Sequence, residues 1–66
     1  MLDQAKLRAI RIKRKMSQEA LARAAGVSLM TIHRLENSPK VNPSLETLTS
    51  IAKALQVNRE VLLTDG

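Results

Sequence analysis

Apolar residues recur along this chain at spacings of three and four, and short polar interruptions between them each suit a helix end. Leu7, Ile10 and Arg14 share one face of a first helix predicted from Asp3, its N-cap, to Arg14. Lys15-Met16-Ser17 interrupts the pattern, and Ser17 suits the N-cap of a second helix, Gln18 to Ala25, with Leu21, Ala22 and Ala25 inward. Gly26 falls where a helix C-terminus calls for a left-handed residue, so a hinge is expected there. Val27 enters the core, and Ser28 caps a third helix reaching Glu36. At ~100° per residue, Ile32 and Leu35 lie within about 60° of each other on that helix. Met30 points almost the opposite way, flanked by His33 and Arg34, with Leu29 at the edge.

The stretch from Asn37 to Pro43 holds both prolines and reads as the one real loop. Ser44 then caps a fourth helix, with Glu46 favourably placed in its first turn and Leu45, Leu48, Ile51, Ala52 and Leu55 facing the core. Asn58 caps a last short helix whose Val61 and Leu62 close the core, and Thr64 to Gly66 reads as a frayed end. The predicted fold is all-α, a compact bundle of four to five helices. The third helix is too short to be stable alone, so the others must hold it. A short helix hinged to its predecessor, buried on one side and open on the other, has the geometry that enters the major groove of DNA.

Composition removes competing classes. At 66 residues the chain has room for one domain, 1–66, with a marginal core. With no cysteine, neither a disulfide framework nor a thiolate zinc site can staple it, and the single histidine builds no metal site alone. Aromatic residues are absent, so the core must be aliphatic. No run approaches the roughly 20 apolar residues that span a bilayer. No leader-type start appears either, so no membrane association and a cytoplasmic setting are expected. An enzyme would need a nucleophile–base constellation, a metal cluster or a phosphate-cradling loop. The carboxylates here are scattered at helix ends. No catalytic residue, metal or cofactor is therefore assigned.

Charge sharpens the picture. Residues 1–34 carry eight cations against two carboxylates, and residues 35–66 carry three against four. The basic half is the half with the hinged helices, which points to a polyanionic partner. Helix 1 presents its cations on several sides, so some of them serve only solubility.

The wording Leu7-x-x-Ile10-Arg11, Ser17-Gln18-x-x-Leu21-Ala22, Gly26-Val27-Ser28, Ile32-x-x-Leu35-Glu36-Asn37 and Pro43-x-Leu45-x-x-Leu48 resembles the Cro/repressor-type (XRE) helix-turn-helix family. Each piece is weak, but their order and spacing from about Leu7 to Leu63 are specific. The resemblance implies a phosphate contact from Gln18, which also braces the recognition helix. It implies that Ser28, Leu29, Met30 and Thr31 enter the groove first, with Arg34 contacting a base one turn later. Asn37 and Lys40 match a phosphate-contacting segment, and Arg11 with Glu36 matches an internal salt bridge. His33 reads as a phosphate ligand or a bystander.

Two positions depart from the family pattern. Lys15 stands where glycine is common, so the turn there either takes a left-handed lysine or differs. Leu29 and Met30 are apolar where many relatives carry polar residues. Such side chains cannot read donors and acceptors, but they can pack on thymine methyl groups. For Arg34 the alternatives are a guanine edge, a phosphate and a solvated side chain.

The implied function is sequence-specific binding of double-stranded DNA by a transcriptional regulator, in the manner of a repressor on a palindromic operator. Two copies are expected, and the surface around Val57, Arg59 and Glu60 is a candidate contact between them. The alternative is a protein-interaction module on the same scaffold, of the antitoxin or coactivator type. A third reading makes the chain the DNA-binding part of a longer regulator with a C-terminal effector domain.

Overall fold

In the computed structural model, residues 1–38 and 41–64 are described. Four α-helices follow in order: α1 Gln4–Lys13, α2 Gln18–Ala25, α3 Leu29–Asn37 and α4 Leu45–Leu55. A closing 3₁₀ turn spans Arg59–Leu62. Each α-helix begins with the same local device. The side chains of Asp3, Ser17, Ser28 and Ser44 accept from the backbone N–H of the residue three ahead, satisfying an otherwise orphaned donor.

Three of the helix ends also share one design. After α1, α2 and α4, a residue takes the left-handed conformation: Lys15 at φ 59°, Gly26 at φ 70° and Gln56 at φ 61°. The following amide reaches back five residues, Met16 to the Arg11 carbonyl at 3.1 Å, Val27 to Ala22 at 3.0 Å and Val57 to Ala52 at 3.0 Å. These are Schellman endings, and in each the residue after the turn is a half-buried hydrophobe packed on the core. The turn therefore stops the helix and sends an apolar anchor inward.

The shared design yields a stability prediction. Only Gly26 holds the left-handed conformation without Cβ strain. Gly26→Ala should destabilise by about 1 kcal/mol from backbone strain, since nothing lies within 4 Å of the added Cβ. Lys15→Gly should stabilise by about 0.5 kcal/mol, the relief of strain less the extra freedom of glycine in the unfolded chain. Urea midpoints of the two variants against wild type check both signs.

The α2 helix packs against both α3 and α4, and α1 packs against α3 and the 3₁₀ turn. Their shared core is aliphatic: Leu7, Leu21, Ile32, Ile51, Leu55 and Leu62 are wholly buried, and Leu2, Ala22, Leu35, Leu48 and Ala52 complete it. The small Ala22 and Ala52 let neighbouring helices approach closely. A second fastening joins the two ends of the chain. Leu2 and Leu63 form an antiparallel bridge, Asp3 N–H donates to the Leu62 carbonyl at 2.8 Å, and Thr64 N–H donates to the Met1 carbonyl at 2.8 Å.

Several expectations are corrected. The first helix ends at Lys13, and Arg14 is an exposed C-cap, not a core-facing residue. The third helix runs one residue further, through Asn37. Leu45 is 67% exposed, because as the first residue of α4 it sits at the edge of the apolar stripe with no element packed over it. The last helix is 3₁₀, with about three residues per turn, so Val61 and Leu62 point about 120° apart. Leu62 is buried and Val61 is exposed. Asn58 makes no side-chain cap there. Thr64 is tied to Met1 rather than frayed, while Asp65 and Gly66 lie outside the described residues.

Candidate nucleic-acid interface

The α3 helix is divided along its length. Ile32, Leu35 and Glu36 are buried, and Leu29, Met30, His33, Arg34 and Asn37 are exposed. Ile32 and Leu35 anchor the helix while its opposite face stays open. An α-helix with its side chains is about 10–12 Å across, matched to a major groove about 12 Å wide. Leu29 and Met30 are 49% and 58% exposed. With Gln18 and His33 they line a shallow apolar cup of about 460 Å³. Among the described residues Arg34 has no carboxylate partner. Its guanidinium is available to an external acceptor.

Beneath this face a polar network joins three helices. Arg11 Nε donates to Glu36 Oε2 at 2.6 Å and Nη2 donates to Glu36 Oε1 at 3.0 Å, a two-pronged ion pair. Arg11 Nη1 also donates to the Met16 carbonyl at 2.7 Å, tying the pair to the α1–α2 turn. Gln18 Nε2 donates to Glu36 Oε1 at 3.2 Å. The side chains of Arg11 and Glu36 are 11% and 1% exposed. Arg11 comes from α1, Gln18 from the first residue of α2 and Glu36 from the last turn of α3. Together they fix the angle at which α3 is presented.

The remaining predicted site residues divide by how much of their hydrogen-bonding capacity the fold already uses. Ser28 Oγ accepts from Thr31 N–H at 3.1 Å and pairs with the Thr31 hydroxyl at 2.9 Å, so both belong first to the N-cap of α3. Asn37 Nδ2 donates to the His33 carbonyl at 2.8 Å and lies 3.4 Å from His33 Nδ1. As placed, one N–H of that amide is committed to the end of α3. Lys40 lies outside the described residues. Val57 is half-buried against the core, while Arg59 and Glu60 are exposed and Arg59 reaches Thr49 Oγ1 at 3.4 Å.

Resemblance implied that Gln18 braces the recognition helix, but its partner there, Glu36, was not foreseen from sequence. The two residues are 18 positions apart, and nothing in their local patterns pairs them. Neither was the apolar groove formed by Met1, Pro43, Leu45 and Leu63 beside the joined termini, about 320 Å³ in volume.

Comparison with known proteins agrees with this geometry. The helix-turn-helix family model matches residues 7–62. The HTH-type transcriptional repressor RghR of Bacillus subtilis is 39% identical over 57 residues, covering 86% of this chain and 42% of RghR. The chain thus spans less than half the length of that relative. The P22 c2 repressor, solved in complex with a synthetic operator, superposes with a TM-score of 0.86 at 36% identity, covering 100% of this chain and 98% of that one. The restriction-modification controller protein C.AhdI of Aeromonas hydrophila gives a TM-score of 0.84 at 28% identity, covering 91% of this chain and 89% of that one. On the family match over 7–62, the ordered motifs and the shared fold, the chain belongs to the Cro/repressor-type helix-turn-helix family.

Proposed function

We propose that this chain is a DNA-binding transcription regulator that acts as a repressor, with α3 in the major groove of a palindromic operator and two copies bound per site. The observation that carries the reading is the division of α3, clamped by Ile32, Leu35 and Glu36 on one side while Leu29, Met30, His33 and Arg34 stand exposed on the other. The P22 c2 repressor binds an operator and RghR is a transcriptional repressor, and the likeness to both supports the same use here.

In this reading backbone contacts set the register and α3 reads base edges. Gln18 and the amides at the start of α2 approach a phosphate, with Lys40 adding charge. Ser28 and Thr31 sit at the groove end of α3 and His33 lies beside a phosphate. Arg34 forks onto a guanine edge, and Leu29 and Met30 cover thymine methyl groups. One nine-residue helix touches only a few base pairs, so a homodimer supplies the specificity. Two surfaces with exposed apolar residues are candidates for its contact, the one around Val57, Arg59 and Glu60 and the groove lined by Met1, Pro43, Leu45 and Leu63.

Selection of bound sequences from a random duplex pool tests the function. The expected outcome is two inverted half-sites with centres about 34 Å apart, one turn of DNA. Absence of any enriched sequence, together with a stoichiometric protein partner captured without DNA, would favour an interaction module using the same apolar cup. The methyl reading has its own check. Replacing each contacted thymine by deoxyuridine should weaken binding about fourfold per methyl, the value of roughly 0.8 kcal/mol for burying one such group. Unchanged affinity would remove Leu29 and Met30 from base recognition.

A further inference from the structure

We propose that Glu36 is a positioning residue for the DNA backbone contact. Its buried carboxylate holds the Gln18 amide so that one Nε2 proton is committed inward and the other is presented to a phosphate oxygen. The inference rests on the reading of α3 as a groove helix.

A free glutamine side chain presents its carbonyl oxygen as readily as its NH₂, and an oxygen turned toward a phosphate repels it. Glu36 Oε1, 3.2 Å from Gln18 Nε2, removes that freedom. A carboxylate oxygen accepts only from the NH₂ end, since the amide oxygen placed there would set lone pair against lone pair. The bond is charge-assisted and so stronger than a neutral one. Glu36 is itself immobile, because the Arg11 fork takes both its oxygens and Arg11 is anchored in turn on the Met16 carbonyl. With its side chain 1% exposed, Glu36 cannot reach DNA and acts only through Gln18.

The position of Gln18 adds to this. It borders the cup formed with Leu29, Met30 and His33, so fixing its amide also fixes the backbone contact relative to the reading face. Stability alone gives no reason for a charged pair here. A volume-matched apolar pair in place of a buried ion pair is often as stable or more so. Such a pair would, however, leave the Gln18 amide without its acceptor.

The test is a cycle on one duplex from the selected pool, at one salt concentration. Affinity is measured for wild type, Gln18→Ala, the double variant Arg11→Met/Glu36→Leu, and the triple variant. Gln18→Ala is expected to bind about tenfold more weakly, near the lower end of what a hydrogen bond to a charged group contributes. The double variant should lose about the same factor, and the triple should be no weaker than the double. A double variant that binds as wild type does, or a triple whose loss is the product of the two, overturns the proposal.

Relaxation of the Gln18 side-chain ¹⁵N in free wild type gives a second readout that needs no variant to fold. Order near that of rigid backbone, S² about 0.85, is expected, and values below about 0.6 overturn the proposal. Absence of duplex binding by wild type would remove the functional reading and this inference together. Binding with independent losses in the cycle would remove the inference alone.

Discussion

Arg11→Met should remove a large share of the chain's stability. The substitution deletes both prongs of the bond to Glu36 and the bond to the Met16 carbonyl, while the methionine still fills most of the space. What remains is a carboxylate with a 1% exposed side chain, held by Gln18 alone. Removing one partner of a buried pair in this way costs about 3–5 kcal/mol. At about 0.05–0.15 kcal/mol per residue, a chain of this size has a stability of roughly 3–10 kcal/mol. The loss is therefore a large fraction of the whole. Helical circular dichroism followed through a urea titration measures it. Arg11→Met/Glu36→Leu should recover most of the lost stability, because the stranded charge is gone. A loss below about 1 kcal/mol in the single variant would mean that the pair behaves as a solvated surface contact.

Arg34→Ala should change specificity more than affinity for unrelated DNA. Arg34 stands on the open face of α3, one turn beyond Met30, with no carboxylate partner among the described residues. A guanidinium forked onto guanine O6 and N7 discriminates against a wrong base by about 1–3 kcal/mol. The variant should lose preference at one position of each half-site and keep it elsewhere. The side chain is exposed, so the fold should be unaffected. Competition among single-base variants of the selected site, at one salt concentration, measures this. Uniform weakening across all sequences, with a salt slope smaller by about one, would assign Arg34 to a phosphate instead.

Helix starts were legible because they are local. A serine or aspartate, an amide three residues on and an apolar run are all visible in one window, and the caps of the four α-helices form as read, while the fifth, Asn58, does not. Helix ends were less so. Gly26 announces its left-handed turn, whereas Lys15 and Gln56 adopt the same conformation without a matching residue type. At those two ends the inward pull on Met16 and Val57 overrides local preference. Leu45 and Val61 were read as core because a periodic count cannot tell an interior turn from a terminal one, or a 3₁₀ period from an α period.

At the site, the exposed face of α3 followed from helical geometry. The pairing of Arg11 with Glu36 was expected only from resemblance, and the structure places them 2.6 Å apart. The bond from Gln18 to Glu36 and the bridge between Leu2 and Leu63 depend on how separate elements meet. No spacing within one element encodes them.

The central claim is that α3 is the element that reads DNA. Titrating the selected duplex into ¹⁵N-labelled protein, and following the backbone amide shifts, tests it most directly. The expected result is perturbation concentrated at residues 17–20 and 28–37, with the outer face of α1 at Ala5, Ala9 and Ile12 nearly silent. Shifts centred on that α1 face, with Leu29 to Arg34 unchanged, would contradict it.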